Sequence, residues 1–398
     1  MTAASRRHVL PRVVAAALIG LALLGAVACG DDDTATATAE ARATVGASST
    51  TGAQRIVTIG VVQSLTGAGA VYGKTVVEGV ELAAKQINAA NPSSGVRFEY
   101  TVVDDGSSVD GAKAAFAGLV ARRVDAIIGP TLSQVAPEAH RLAQEAGIPV
   151  LSATTTAAGI TDVGNFVFRV ALPESVVVPA ALARVARDTS VKQAVLVVDG
   201  NDAFSRSSAA AMRTGLTAQG GAVVAEIDVS KANVADELAR LQGQQVDVFL
   251  VTPLVETSVP VLKAIRDGGF RQPIVGGNSF NTLDIARLAG PAVEGAYVGA
   301  AWNADEQGAT SRAFVQAYKA AYGAAPQLFA AQGYSSVYLL LDAAKRASAP
   351  TPAALRDALA ATRDLDTPLG RLSMSDKREA THPPVTQQYR NGQLVPLP

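Results

Sequence analysis

An α/β fold built on two doubly wound parallel sheets is predicted by three features of this 398-residue chain. From Arg55 onward, short β-branched runs alternate with amphipathic stretches, as in a parallel sheet with helices on both faces. The same rhythm resumes after Arg169, which predicts a second sheet. The run Val124-Asp125-Ala126-Ile127-Ile128-Gly129-Pro130 is echoed by Val246-Asp247-Val248-Phe249-Leu250-Val251-Thr252-Pro253, each an apolar strand that ends in a proline-marked loop.

In the first set, Ile56 to Val62 reads as a strand. Thr75 to Ala90 reads as a helix, with Val77, Val80, Ala84 and Ile87 at helical spacing. Val96 to Val103 is the next strand, Val109 to Arg123 a helix, Ala126 to Gly129 a strand and Glu138 to Ala146 a helix, and a further strand starts at Pro149-Val150-Leu151. The second set opens with helix Ser175 to Asp188, strand Ala194 to Val198, helix Ser207 to Gln219 and strand Val223 to Ile227. Helix Asn233 to Gln242, strand Val246 to Val251, helix Thr257 to Asp267 and strands near Ile274 and Ala296 complete it. Ligands sit beyond the carboxyl ends of strands in such sheets, so the two proline-marked loops are expected to line one cleft.

The chain ahead of Arg55 has a different character. Arg6, Arg7 and Arg12 precede the uncharged run Val13 to Ala28, the pattern of a secretory signal over residues 1–28. Leu24-Gly25-Ala26-Val27-Ala28-Cys29-Gly30 resembles a lipoprotein processing site, which makes Cys29 the expected lipidation position; Ser5-Arg6-Arg7-His8-Val9-Leu10 also resembles a twin-arginine export signal. Gly30 to Gln54 holds Val45 as its only large apolar residue, so residues 29–54 read as a lipidated, disordered tether with a reach of roughly 25 to 30 Å. Cys29 is the only cysteine, so the folded body is expected to contain no disulfide and to rely on its core. The whole chain carries 34 basic and 35 acidic residues, and losing the three signal arginines leaves a slightly acidic body, which argues against a nucleic-acid partner.

Catalytic equipment is sparse. The histidines are His8, His140 and His382; His140 reads as a solvated helix residue, and His382 has no Cys, Asp or Glu partner at metal-ligand spacing. No nucleophile elbow, phosphate loop or dinucleotide fingerprint is present, so no catalytic residue, metal or cofactor is expected. The strand-end loops instead carry hydroxyls, small residues and aromatics: Gln63 to Gly73, Pro130 to Gln134 and Ser152 to Thr156. Hydroxyls and backbone N–H groups near helix starts suit a carboxylate, and apolar neighbours suit an alkyl or aryl group.

The order of these pieces resembles the branched-chain amino-acid family of type 1 periplasmic binding proteins, the solute receptors of ATP-driven importers. The resemblance is carried by Ile59-Gly60-Val61-Val62-Gln63-Ser64-Leu65-Thr66-Gly67, Tyr72-Gly73, Val103-Asp104-Asp105, Ile127-Ile128-Gly129-Pro130, Ala146-Gly147-Ile148-Pro149-Val150-Leu151-Ser152, Phe168-Arg169, Gly276-Gly277-Asn278-Ser279-Phe280-Asn281 and Glu294-Gly295-Ala296-Tyr297-Val298-Gly299. It implies two lobes joined by a three-segment hinge near Arg169 to Ala171, Ala300 to Asn303 and Leu369 to Arg371. Lobe one would be 55–169 with 302–368, and lobe two 170–301 with 369–398. It further implies that Ser133 and Thr156 hold a ligand carboxylate, that Thr154 offers backbone contacts and that Tyr72 covers the ligand side chain. Phe204 and Leu254 fall at aromatic positions of the second lobe, and the acid that pairs with an α-ammonium aligns with the neutral Asn278. Asp202, Asp199 or Glu256 would then replace that acid, or the ligand lacks an ammonium. The implied function is a monomeric, exported and lipid-anchored solute receptor that closes around a small carboxylate-bearing metabolite and delivers it to an ABC permease. The alternative is a sensor that signals to a membrane partner through lobe closure.

Overall fold

The computed structural model describes residues 54–90 and 94–398. Cys29, the expected signal and nearly all of the expected tether lie outside the described residues. The first sheet runs in the order Val96–Asp104, Arg55–Gln63, Ala126–Ile128, Val150–Ser152, Val167–Arg169, with every neighbour parallel. Ala126, Ile127 and Ile128 are all fully buried, as a central strand covered on both faces requires. Val96–Asp104 lies at the edge and buries only Val96 and Phe98.

Helix Ala70–Ala89 packs on this sheet and buries Val76, Val80, Ala83, Ala84 and Ile87. It starts five residues ahead of the expected Thr75, which places Tyr72 in its first turn. Helix Leu328–Arg346 lies against it. The approach is close because residue 79 is glycine: a Cβ there would stand 2.0 Å from the Ala330 carbonyl oxygen. Ser108, Asp202, Asn233, Thr282 and Thr351 cap helices by accepting backbone N–H bonds from the first turn.

The second sheet runs Gln393–Pro396, Val385–Arg390, Tyr297–Ala300, Ile274–Gly276, Val248–Val251, Gln193–Val198, Ala222–Asp228. The last five are parallel, and the two C-terminal strands add antiparallel at one edge. Two parallel-sheet lobes therefore form from one chain, which passes between them three times. Gly370–Met374 pairs with Leu365–Thr367 and with Ala380–Thr381, Glu379 bridges Arg169 at the edge of the first sheet, and the chain enters the second sheet only at Val385.

His140 corrects an expectation. It is fully buried in helix Ala136–Ala146 against Phe116, with Nε2 3.1 Å from the Gly129 carbonyl oxygen and Nδ1 without a partner. The charged run Glu138 to Arg141 suggested solvent, but the helix turns Ala136, Ala139, His140 and Ala143 inward while Glu138 and Arg141 pair outside. Burial pushes the imidazole pKa down to about 4. The folded state thus resists the proton that the unfolded chain accepts near pH 6.5. Stability from this group is complete above pH 6.5 and is lost progressively as pH falls toward 4, by about 3 kcal/mol in total. Urea unfolding at pH 7 and pH 4.5 checks this: His140→Gln is expected to lose less stability than the parent across that interval, and equal losses would exclude the role.

Candidate ligand cleft

Loops from the carboxyl ends of strands in both sheets converge on one cavity. Its lining contains Tyr72, Ser133, Thr154, Thr156, Asp202, Phe204, Leu254 and Asn278, the eight residues expected from the sequence, together with Thr131, Leu132, Ser279 and Phe329. Thr131, Leu132 and Ser279 adjoin expected positions. Phe329 lies in helix Leu328–Arg346, more than 250 residues beyond Tyr72, and only the packing of that helix on Ala70–Ala89 brings it to the cleft.

The first-lobe side is a hydroxyl network. Asp104 accepts the N–H groups of Leu65, Thr66 and Gly106, and Asp105 accepts the Ser64 hydroxyl at 2.7 Å and the Ser107 N–H at 2.8 Å. The Val103-Asp104-Asp105 motif therefore anchors the loop that leads into the helix of Tyr72. Thr131 donates its hydroxyl to Gln63 Oε1 at 2.7 Å and accepts the Ser64 N–H at 2.8 Å. Thr154 donates to the Thr131 carbonyl at 2.7 Å. Ser133 Oγ accepts the N–H groups of Thr156 and Ala157 at 3.2 and 3.3 Å, which leaves its hydroxyl hydrogen to donate elsewhere.

Thr156 lines the cavity and also meets a buried acid. Its hydroxyl reaches Glu174 Oε1 at 3.2 Å. Glu174 begins helix Glu174–Asp188, is 1 % exposed, and also accepts Ser208 Oγ at 2.8 Å, Asn278 N–H at 3.1 Å and Asn278 Nδ2 at 2.7 Å. Burial pushes its pKa up, while these hydrogen bonds pull it back. Glycine at 277 makes room for it, since a Cβ there would stand 2.1 Å from Oε2. Nothing in the sequence singled out Glu174, because a glutamate in the first turn of a helix ordinarily interacts with the helix dipole alone.

On the second-lobe side, Asp202 caps helix Ala203–Ala218 by accepting the Ser205 N–H at 2.7 Å, and burial raises its pKa. Of the three acids considered as partners for an ammonium, Asp202 lines the cavity; Glu256 is exposed and Asp199 stands outside the lining. Phe204 and Leu254 supply apolar wall. Tyr72 spans the lobes: its hydroxyl donates to the Ser279 carbonyl at 3.3 Å and accepts the Val255 N–H at 3.0 Å, while its ring meets Phe329 edge-on at 5.1 Å. A second cross-lobe bond joins Ala158 N–H to Ser207 Oγ at 2.8 Å. The cleft is therefore closed in this structure, with Tyr72 as its bolt.

The arrangement offers one wall of hydroxyls, one acid at Asp202 and apolar flanks. Among the described residues no group of three or more His, Cys, Asp or Glu side chains could hold a metal ion, and no helix is long and apolar enough to cross a membrane.

Residues 56–394 match the periplasmic binding protein family. The chain belongs to that family. A Leu/Ile/Val-binding protein homolog of Brucella melitensis is 24% identical over 331 residues, covering 82% of this chain and 88% of the relative. The substrate-binding protein LivJ of a branched-chain amino acid transporter from Streptococcus pneumoniae, solved with isoleucine, is 25% identical with a TM-score of 0.78, covering 86% of this chain and 99% of that one. A Rhodopseudomonas palustris solute-binding protein of an ABC transporter, solved with benzoate, is 23% identical with a TM-score of 0.76, covering 86% and 95%. This periplasmic binding protein therefore shares its fold with receptors solved with an amino acid and with an aromatic acid.

Proposed function

We propose that this periplasmic binding protein is the extracytoplasmic receptor of an ABC importer, that it closes its lobes around one small α-amino acid, and that Cys29 anchors it by a lipid near its permease. The lobes are read as 55–169 with 302–381 and 170–301 with 385–398, the third hinge segment being moved to the stretch before Val385. The observation that carries the choice of ligand is the charge of the cleft: its lining holds Asp202 and no Lys, Arg or His, and Glu174 stands directly behind Asn278. A bare carboxylate such as benzoate meets only repulsion from these acids, whereas a zwitterion offsets them with its ammonium. Ser133 is read as the donor to the ligand carboxylate, and Phe204, Leu254 and Phe329 as the walls for an aliphatic side chain.

Calorimetry of the purified protein with L-leucine, L-isoleucine and benzoate tests the reading. One-to-one binding of an aliphatic amino acid, tighter than benzoate, is expected; a folded protein that prefers benzoate would overturn the zwitterion assignment. Ser133→Ala is expected to weaken amino-acid binding by about 10- to 100-fold, the value of one hydrogen bond to a charged group.

A further inference from the structure

The Asn278 amide is oriented by two acceptors. Its Nδ2 donates to Glu174 Oε1 at 2.7 Å and to the Leu172 carbonyl at 3.3 Å. A flipped amide would set its oxygen against both, so the assignment of the two amide atoms is fixed by charge. The Asn278 Oδ1 that results is buried without a partner, on a residue that lines the cavity and is 3 % exposed. An orphaned buried acceptor is costly, and a donor opposite Oδ1 would offset that cost.

We propose that Glu174 is a positioning residue: its buried carboxylate locks Asn278 with Oδ1 toward the ligand and backs that neutral oxygen with a negative charge, so that the pole selects a ligand N–H donor, an ammonium above all. This rests on the reading of the cleft as an amino-acid site. The four groups bonded to Glu174 comprise two hydroxyls, one backbone N–H and one amide N–H, and the last two, both on Oε1, can only donate, so Oε1 acts as an acceptor. The Thr156 hydroxyl reaches the same carboxylate from the loop that follows Ser152, so the acid that sets the amide also ties the two sides of the cleft. In effect the acid is displaced by one side chain: the charge stays in the second lobe, and Asn278 conveys it.

Two variants separate the charge from the lock. Glu174→Gln keeps the shape and removes the charge; Glu174→Ala removes the lock as well. Calorimetry compares L-leucine with 4-methylpentanoate, which has the same carboxylate and alkyl chain but no ammonium. The parent is expected to prefer leucine, and Glu174→Gln to cut that preference by about tenfold or more through leucine alone. The double variant Glu174→Gln with Asn278→Asp, which moves the acid to the cavity wall, is expected to restore the preference. A folded Glu174→Gln protein with an unchanged leucine preference would overturn the proposal, as would failure of the double variant to recover. If the parent binds neither compound, the amino-acid reading fails, and the lock is decided without ligand by NMR of the Asn278 side-chain amide. Slow hydrogen exchange that becomes fast in Glu174→Ala supports the lock, and unchanged exchange refutes it.

Discussion

Replacing Glu379 with alanine is expected to lower the stability of this protein by about 3 kcal/mol, because it strands a buried guanidinium. Arg169 is 2 % exposed, pairs with Glu379 and donates from Nη1 to the Ala157 carbonyl at 2.5 Å, while its Nε has no partner. Burial already pulls its pKa down, and Glu379 is the chief influence that holds it up. The lower end of the range for orphaned charges applies, since the Glu379 side chain keeps 24 % of its exposure and water softens the loss. Urea unfolding of Glu379→Ala, Arg169→Met and the double variant reads the effect. Arg169→Met with Glu379→Leu should recover most of the loss, because it leaves no lone charge; a Glu379→Ala cost below about 1 kcal/mol would place the pair among weak surface bridges. The consequence reaches the ligand cleft, since Ala157 follows Thr156 directly and its N–H is held by Ser133 Oγ.

Tyr72→Ala is expected to weaken amino-acid binding by about 30-fold or more, the scale of a buried aromatic anchor worth at least 2 kcal/mol. The residue is 4 % exposed, stacks edge-on with Phe329 and bonds the second lobe at Ser279 and Val255. Removing only the hydroxyl separates these contributions: Tyr72→Phe keeps the ring and loses both cross-lobe bonds, for a smaller drop of about 5- to 10-fold. Equal losses in the two variants would assign the effect to closure alone, and no loss in either would remove Tyr72 from the ligand's surroundings.

Much of this architecture was legible in the chain, for identifiable reasons. A strand buried on both faces must be continuously apolar, so Ala126 to Ile128 and Val248 to Val251 announce themselves, and helix caps such as Asp202 mark where the chain turns. The strand-end hydroxyls stand together in short loops, and the structure gathers Ser133, Thr154 and Thr156 at one cavity. What sequence reasoning missed depends on contacts between distant segments. Glu174 matters because a glycine at 277 admits its carboxylate beside Asn278, 104 residues away. The Thr156 hydroxyl reaches that same buried acid, a contact its place in the Ser152 to Thr156 loop does not announce. His140 was read as solvated from its charged neighbours, whereas the helix buries one face that those neighbours do not share. The start of helix Ala70–Ala89 was missed because Gly69, Ala70, Val71 and Tyr72 carry no side-chain cap to mark it. The pairing of Gly370–Met374 with Leu365–Thr367 is antiparallel and leaves no parallel-sheet signature in the sequence.

Closure on a solute is the claim on which the rest depends, and small-angle X-ray scattering of the purified protein with and without saturating L-leucine measures it directly. The cross-lobe bonds of Tyr72 and of Ala158 with Ser207 describe a shut cleft. A contraction on adding leucine, toward the radius of gyration of this closed form and much reduced in Tyr72→Ala, is the predicted result. Scattering curves that coincide with and without bound leucine would contradict the account.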